Sequence, residues 1–479
     1  MSFRRGSGFT AVISILATVA IFGSQQAPAI AAVRADGVAA APAAPPTVSA
    51  ASSYTPITPN FRILDTRPTS GLCGGTSGGC HALGKGGILT LQVTGYVDPG
   101  TGNSVPAGAT AVVMNVTEVD DSSFSLLTVY PAGTSPPLAS NLNFQAHTAE
   151  ANLVTTQLSA GGALSIENAL GTVNVLGDVE GYFAAAPAGH PSGEYHPIPP
   201  LRVCDSRVSA PTNGCNTPNN GKDQPIGAGQ AVRVKVAGMP LWCTVPANCP
   251  SIPTDGTEEM AIINLTGIAG TVNTFLTVVP YTINSGCLFG GNKGAPSVST
   301  VNVAAGHAQA NRVFVDLAPN SSPLYVCVYN AAGRANFIID DNGWFGGPTA
   351  ATGLQFYSTS PTRICDTRSG TSTPCSGHPL TQKSSLTVAA AGQDGIASGA
   401  MAIIANLTAV AGTALTYLTL YPADASGPPN VSDINVAAGL VQPNLTAVQL
   451  SSGGSPGNFK IFNAVGTINA VVDVEGWFQ

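Results

Sequence analysis

The strongest constraint on the fold is that one long sequence pattern occurs three times in the chain. Each copy opens with an Arg-x-x-Asp-x-Arg phrase, contains an Asn-x-Thr tripeptide and a Tyr-Pro or Pro-Tyr pair, and closes with an Asp-x-x-Gly-aromatic-Phe phrase. A pattern repeated in the same order over this length indicates three copies of one folding unit. The opening phrases lie at 62–67, 202–207 and 363–368, and the closing phrases at 178–183, 340–345 and 473–478.

The local periodicity within each repeat is that of strands. The repeats run 54–183, 195–345 and 356–479, separated by Ala/Pro/Gly-rich stretches. Short runs rich in Val, Ile, Thr and aromatic residues are bounded by turn residues, about eight runs per repeat, and no window shows helical periodicity. The sequence therefore predicts an all-β protein of three tandem β-sandwich domains, of jelly-roll or immunoglobulin-like type. Both a string of domains and a compact pseudo-threefold unit are compatible with the linkers.

The charge content excludes one class of partner. Only 9% of the residues are charged, and the net charge is −7 with 18 Lys and Arg spread thinly. Nucleic-acid-binding proteins neutralise phosphates with clustered basic residues, so no nucleic-acid partner is expected. A cell-wall polymer, another glycan or a surface protein suits this composition better. The sequence does not predict an oligomeric state.

The first 53 residues are typical of an export signal followed by a linker. Arg4 and Arg5 precede a short apolar stretch, and small residues at Ala-x-Ala spacing follow. We place a secretory signal peptide at 1–32, since the apolar run is shorter than the ~20 residues of a spanning helix. The Ala/Pro-rich segment 33–53 is predicted to be a disordered linker. We therefore expect a secreted or cell-surface protein with no membrane span after signal removal.

The ten cysteines agree with export, because an even number of closely spaced cysteines is typical of disulfides in an oxidising compartment. A zinc site is the alternative, but no pair has C-x2-C spacing, so no metal is predicted. Sequence alone does not fix the connectivity. The nearest-neighbour pairs are Cys73 with Cys80, Cys204 with Cys215, Cys243 with Cys249 and Cys365 with Cys375, which leaves Cys287 with Cys327.

The opening and closing phrases together supply a charged cluster in each repeat. Two guanidinium groups beside a carboxylate could bind an anionic sugar or a carboxylate. Alternatively, the opening aspartate and the second arginine of the phrase pair with each other or with the closing aspartate, which would pin the first strand to the last. In so charge-poor a chain, three copies favour the structural interpretation. The residues are Arg62, Asp65, Arg67 and Asp178, then Arg202, Asp205, Arg207 and Asp340, then Arg363, Asp366, Arg368 and Asp473.

The Asn-x-Thr tripeptides match a glycosylation acceptor only formally, because they lie within apolar strands where a glycan would disrupt packing. Buried amides that bond to neighbouring loop backbone are the better interpretation. The asparagines are Asn115, Asn264 and Asn406.

Catalytic constellations are weak. Asp178 with Glu180, and Asp473 with Glu475, could act as acid and base, but the glutamate position is Asn342 in repeat 2. None of the six histidines lies in a nucleophile setting. We therefore predict no enzyme activity and no cofactor.

The repeat resembles a tandem β-rich module of secreted actinobacterial-type proteins. The resemblance rests on the Arg-x-Leu-Asp-Thr-Arg opening, the Asn-x-Thr strand, the Tyr-Pro turn and the Asp-Val-x-Gly-Tyr/Trp-Phe ending, and it covers nearly all of 54–479. It implies exported modules with an accessory or surface role and transfers no catalytic residues. Repeat 2 departs from the pattern at 340–342 and carries an insert with extra cysteines.

Three functions follow as hypotheses. The first is a secreted or cell-surface, non-catalytic repeat protein that binds a cell-envelope or extracellular glycan or protein. The second is a structural spacer or surface-assembly component, which the Gly/Ala/Thr richness and sparse charge favour. An extracellular glycoside hydrolase is the least favoured.

Overall fold

The computed structural model describes residues 48–73, 80–185, 192–207, 215, 225–238, 251–281, 287, 296, 298–317 and 325–479. These residues form 25 strands in six sheets without an α-helix, which confirms the all-β prediction. The described residues include no candidate for a membrane-spanning helix. The predicted signal peptide, residues 33–47 of the predicted linker, and Cys243 with Cys249 lie outside the described residues.

Repeat 1 contains eight strands in two antiparallel sheets. One sheet has the order β1-β8-β3-β6 and the other β2-β7-β4-β5, so that the first and last strands are neighbours. The strands are β1 (Ser53–Asp65), β2 (Gly87–Gln92), β3 (Ala109–Val119), β4 (Ser125–Pro131), β5 (Leu142–Phe144), β6 (Ala151–Gln157), β7 (Ala163–Asn168) and β8 (Asn174–Ala184).

Repeat 2 reproduces this arrangement with one additional two-residue strand. In its first sheet β9 and β10 both pair with β17, followed by β12 and β15, and the second sheet has the order β11-β16-β13-β14. The strands are β9 (Tyr195–Asp205), β10 (Ile226–Gly227), β11 (Gln230–Lys235), β12 (Glu258–Ala269), β13 (Thr274–Pro280), β14 (Val301–Val303), β15 (Ala308–Asp316), β16 (Tyr325–Asn330) and β17 (Arg334–Gly346).

Repeat 3 again has eight strands, in sheets ordered β18-β25-β20-β23 and β19-β24-β21-β22. The strands are β18 (Phe356–Asp366), β19 (Ser384–Ala389), β20 (Ala402–Val410), β21 (Thr416–Pro422), β22 (Ile434–Val436), β23 (Val441–Gln449), β24 (Asn458–Asn463) and β25 (Asn469–Phe478).

The two sheets of each repeat share one apolar cluster. In repeat 1, Leu89 and Leu91 of β2 belong to the same buried cluster as Val112 and Val116 of β3, which lies in the other sheet. Corresponding clusters form in repeats 2 and 3. Each sheet therefore buries one face within its own repeat, as the alternation of apolar and polar residues along the strands predicts.

A fourth apolar cluster joins the three repeats. Aromatic rings from all three meet in it, in close contacts that connect each repeat to both others. Because burial of apolar surface is the dominant favourable term in association, this cluster holds the repeats in one compact unit. Of the two arrangements that the sequence leaves open, the structure has the compact one. The ring centroids are 4.9 Å apart for Tyr54 and Phe345, 4.3 Å for Tyr195 and Phe478, and 4.0 Å for Phe183 and Phe356.

The end of the predicted linker lies along repeat 3. The backbone N–H of Ser49 donates to the carbonyl of Ser358 at 3.0 Å, and that of Ser52 donates to Phe356 at 2.9 Å. Residues 49–52 thus tie the beginning of repeat 1 to the first strand of repeat 3.

Four of the five predicted cysteine pairs are disulfide bonded in the described residues. Each short bond fastens a loop close to the end of a first strand, and the fourth joins β16 to a residue of the repeat 2 insert. The bonded pairs are Cys73–Cys80, Cys204–Cys215, Cys365–Cys375 and Cys287–Cys327.

One residue of repeat 2 breaks the apolar pattern of its core. Asp341 occupies the position of Val179 and Val474, which belong to the cores of repeats 1 and 3. Asp341 is fully buried, and neither of its carboxyl oxygens has a hydrogen-bond partner. Burial, with a smaller contribution from the charge of Asp340, raises the pKa of Asp341 well above its usual range. The carboxyl group is therefore held neutral.

Replacement of this acid by the residue found in the other repeats should stabilise the protein. We expect Asp341→Val to raise the free energy of unfolding by about 1–3 kcal/mol, since it removes an unsatisfied buried group. The gain should grow as the pH rises above about 4, because the unfolded aspartate then loses its proton while the folded one keeps it. Urea unfolding at several pH values measures both effects. Val179→Asp in repeat 1 should have the opposite effect, and equal stabilities would contradict the prediction.

Candidate functional site

The first arginine of each opening phrase pairs with the closing aspartate directly across the sheet. Arg62 on β1 lies opposite Asp178 on β8, and its Nε and Nη2 donate to Oδ1 and Oδ2 at 2.8 and 2.9 Å. We call this bidentate pair the Arg–Asp staple, since it joins the first strand of a repeat to its last. The same geometry recurs for Arg202 with Asp340 and for Arg363 with Asp473.

The second arginine of each opening phrase binds the aspartate two residues before it. Nη2 of Arg67 donates to Oδ2 of Asp65 at 2.6 Å. Burial alone would raise the pKa of Asp65, but hydrogen bonds from Arg67 and the charges of Arg67 and Arg62 outweigh burial and lower it. The pairs Arg207–Asp205 and Arg368–Asp366 have the same 2.6 Å contact.

Most of the charged groups in these clusters are paired with one another. The closing aspartates are 1–2% exposed, and the staple arginines are 23%, 10% and 15% exposed in repeats 1, 2 and 3. An external anion would have to displace a bidentate partner to bind there. The geometry thus matches the structural interpretation of the clusters better than a ligand site.

The staples also reach the neighbouring repeat. The backbone N–H of Ser432 in repeat 3 donates to Oδ2 of Asp340 in repeat 2 at 3.2 Å. In the same way Ser140 of repeat 1 donates to Asp473 of repeat 3 at 3.3 Å. These two aspartates therefore connect strands within a repeat and hold the next repeat at the same time.

Six buried asparagines form three hydrogen-bonded pairs between the repeats, which we call the asparagine cycle because together they link all three repeats. One member of each pair comes from an Asn-x-Thr tripeptide, and the other lies on β6, β15 or β23 of the adjacent repeat. Every pair crosses a different junction, so the cycle closes. The bonds run from Asn311 to Asn115 at 2.9 Å, from Asn444 to Asn264 at 2.8 Å and from Asn152 to Asn406 at 2.9 Å.

The Nδ2 groups of the Asn-x-Thr asparagines also find their acceptors in the neighbouring repeat. Nδ2 of Asn115 donates to the carbonyl of Ser299 at 2.7 Å, and Asn264 donates to Ser432 at 2.6 Å. Buried amides that lack such partners would cost free energy, so each repeat needs its neighbours to satisfy its own polar groups.

Glu180 and Glu475 lie two residues after the aspartates of the staples, at the junctions where one repeat packs on the next. Glu180 accepts the backbone N–H of Phe314 in repeat 2 at 3.3 Å, and Glu475 accepts that of Thr155 in repeat 1 at 2.9 Å. Burial raises the pKa of both acids to about 8 despite these bonds. In repeat 2 the equivalent Asn342 accepts a bond from Arg312.

A different cluster lies on the second sheet of repeat 2. The guanidinium carbon of Arg233 is 4.4 Å from the ring centroid of Tyr325 and 5.0 Å from that of Tyr281. Nη1 of Arg233 also donates to the Tyr281 hydroxyl at 3.1 Å. All three side chains are half-buried, and cation–π attraction holds them together. The group combines aromatic surface with hydrogen-bonding atoms, as many ligand sites do.

Sequence reasoning missed the residues that act between repeats. Arg312 is fully buried against repeat 3, yet it reads as an isolated charge in a strand of otherwise apolar pattern. Its only sequence signal is that the equivalent positions are Leu153 and Leu445. The cluster around Arg233 also lacks a sequence motif, since its members are up to 92 positions apart. Pairing of β11 and β13 with β16 brings Arg233, Tyr281 and Tyr325 together.

No group of three or more His, Cys, Asp or Glu side chains within the described ranges has the geometry of a metal site. The predicted acid pairs, Asp178 with Glu180 and Asp473 with Glu475, are buried at the junctions and bonded as described above.

Comparison with known proteins gives little further information. No protein-family profile and no curated protein matches the chain. A structure of the triple jelly roll fold and turret assembly in an archaeal virus aligns at 8% identity over 89% of this chain and 90% of its own, with a TM-score of 0.15. A structure of Sulfolobus Turreted Icosahedral Virus aligns at 10% identity over the same shares, also with a TM-score of 0.15. Superpositions with so low a TM-score identify neither fold nor function.

Loss of a staple arginine should destabilise the protein in proportion to the burial of the pair. We expect Arg202→Ala to lower the free energy of unfolding by about 3–5 kcal/mol, because it leaves the buried Asp340 carboxylate without its cation. Arg363→Ala and Arg62→Ala should cost progressively less, since these pairs are more exposed and better screened. Urea unfolding gives the ranking. Arg334→Ala, on the exposed first residue of β17, is the control and should change little; a reversed order would contradict the assignment.

The junction acids should make the protein more stable in acid than in mild alkali. The contribution of Glu180 is fully present below about pH 4.5 and is lost as the pH rises through about 8. The melting temperature should therefore fall between about pH 5 and about pH 9, and Glu180→Gln should reduce that fall. Calorimetry across this range measures it. An unaltered slope in Glu180→Gln would refute the role of this acid.

Proposed function

We propose that this chain is an exported, non-catalytic structural protein, a rigid building block of a cell-surface or extracellular assembly. The observation that carries the proposal is that the polar residues repeated in all three copies are bonded to each other, within and between repeats. Residues retained for a ligand would be expected to present open hydrogen-bonding groups. Here the repeated polar residues hold the strands and the repeats together.

We infer further that each repeat is a jelly-roll sandwich. The orders β1-β8-β3-β6 and β2-β7-β4-β5 place consecutive strands in different sheets except for β4 and β5, as double Greek-key sandwiches do, and one apolar cluster lies between the two sheets. Three such units around a common aromatic cluster would make a compact block that resists deformation.

Export is supported by the disulfides and by the predicted signal peptide. Four disulfides in the described residues suit an oxidising compartment. A surface with few charges also lowers the electrostatic repulsion between copies, which favours close association in an assembly.

The assembly role is tested with the purified full chain, oxidised, at increasing concentration. We expect sedimentation velocity and negative-stain microscopy to show ordered oligomers, sheets or filaments that grow with concentration. Dispersed monomers at every concentration would argue against a structural function. Hydrolysis of a polysaccharide panel by the same preparation would argue against the non-catalytic assignment.

A second candidate function is glycan binding by repeat 2, which the cluster of Arg233, Tyr281 and Tyr325 favours. Half-buried aromatic rings can stack on a sugar face, while Arg233 and the tyrosine hydroxyls offer hydrogen bonds. The equivalent position of Arg233 is Thr387 in repeat 3, where Nζ of Lys460 instead lies 5.9 Å from the ring centroid of Tyr421. An arginine between two tyrosine rings is thus a feature of repeat 2.

Glycan binding is tested by pull-down of the full chain with purified cell-wall and polysaccharide panels. We expect retention on at least one polymer, and at least a tenfold loss of affinity in Tyr281→Ala/Tyr325→Ala, as removal of two stacking rings implies. Thr387→Ala is the matched control on the exposed face of β19 and should bind as wild type. No retention, or equal loss in the control, would exclude this site.

A further inference from the structure

The junction between repeats 2 and 3 differs chemically from the other two. Arg312 occupies the position of Leu153 and Leu445, directly after an asparagine of the closed cycle. Arg312 is fully buried, and so is its ion-pair partner Asp433, which belongs to repeat 3. We call Arg312, Asn342 and Asp433 the junction triad.

All three guanidinium nitrogens of Arg312 are hydrogen bonded. Nη2 of Arg312 donates to Oδ1 of Asp433 at 2.6 Å, Nη1 donates to Oδ1 of Asn342, and Nε donates to the carbonyl of Leu445 at 3.1 Å. Oδ2 of Asp433 accepts the backbone N–H of Leu420 at 2.7 Å. The arginine thus bridges an amide of its own repeat and a carboxylate of the next.

At the junction between repeats 3 and 1 the acid and the amide have exchanged sides. Glu475 of repeat 3 takes the place of Asn342, and Asn141 of repeat 1 takes the place of Asp433. Nδ2 of Asn141 donates directly to Oε1 of Glu475 at 2.6 Å, and the arginine position is Leu445. The polar groups at each junction therefore match each other. The groups from one junction would not match those from the other if they were exchanged.

We propose that the junction triad fixes the cyclic order in which the three repeats pack. In the opposite order, Glu180 of repeat 1 would face Asp433 of repeat 3, which places two buried carboxyl groups together without a cation. Arg312 and Asn342 would face Asn141 of repeat 1, which leaves a buried guanidinium without a carboxylate.

Both mismatches occur only in the opposite order. They raise the free energy of that competing arrangement and so favour the observed one. The apolar cluster at the centre does not discriminate between the two orders in this way, since hydrophobic burial is non-directional. A buried polar group that selects one packing among several is the best-attested use of such residues.

Engineered disulfides can report the order. Nδ2 of Asn435 in repeat 3 lies 3.5 Å from Oγ1 of Thr266 in repeat 2, and Thr117 is the residue of repeat 1 equivalent to Thr266. A Thr266→Cys/Asn435→Cys pair should cross-link only in the observed order. A Thr117→Cys/Asn435→Cys pair should cross-link only in the opposite order.

The experiment introduces each cysteine pair into the full chain, folds the protein under oxidising conditions and maps the new disulfide by peptide mass spectrometry. With the native triad, we expect the 266–435 bond in nearly all molecules and no detectable 117–435 bond. In Arg312→Leu/Asn342→Glu/Asp433→Asn, which copies the chemistry of the junction between repeats 3 and 1, the 117–435 bond should rise to at least tenfold above the detection limit. The less invasive Arg312→Met/Asp433→Asn should give the same increase.

Thr300→Ser, at the repeat 2 position equivalent to Asp433, is the matched control and should leave the order unchanged. Circular dichroism and gel filtration confirm that each variant folds. An absence of the 117–435 bond in folded triad variants would overturn the proposal, because the order would then be set elsewhere. Failure of both triad variants to fold would also overturn it, since the triad would then serve stability rather than order.

Discussion

Buried polar groups that are satisfied only by the adjacent repeat are the interaction on which the rest of this structure depends. Each Asn-x-Thr amide donates to a carbonyl of its neighbour and accepts from a neighbouring asparagine, as at Asn115, Ser299 and Asn311. An unsatisfied buried group costs about 1–3 kcal/mol, so every missing neighbour leaves several such costs behind. The repeats follow one another along the chain, but each depends on its neighbours in the closed arrangement for its stability.

The apolar and polar parts of the interface have different roles. The central rings of Tyr54, Tyr195 and Phe356 with their neighbours supply the non-directional attraction that brings the repeats together. The asparagine cycle and the staples, through Asp340 and Asp473, set the register of one repeat on the next. Repeat 2 carries the main departures from the pattern, and these departures lie at its core, at its junction with repeat 3 and on its second sheet.

This distribution bears on function. The charged clusters that read as candidate anion sites are used for cohesion, whereas the half-buried group of Arg233 with two tyrosines is not built from residues of the repeated pattern. Repetition in this chain therefore marks what holds the block together. The features of a single repeat are of two kinds: Arg312 acts at a junction between repeats, whereas the Arg233 cluster is the candidate recognition site proposed above.

The sequence by itself determined the all-β class and the threefold repetition, because strand periodicity and repeat spacing are local properties. Close spacing suggested three of the bonded cysteine pairs, and Cys287 with Cys327 was only the pair left over, so the structure decided the connectivity. The sequence also placed the staple residues at the first and last strands of each repeat. Only the tertiary structure decided that the repeats close into one unit, that Glu180 and Glu475 face junctions, and that Arg312 pairs with Asp433, 121 positions away. Such contacts depend on which outer sheet face meets which neighbour. The period-2 pattern of a strand identifies its two faces but does not name the surface that covers either of them.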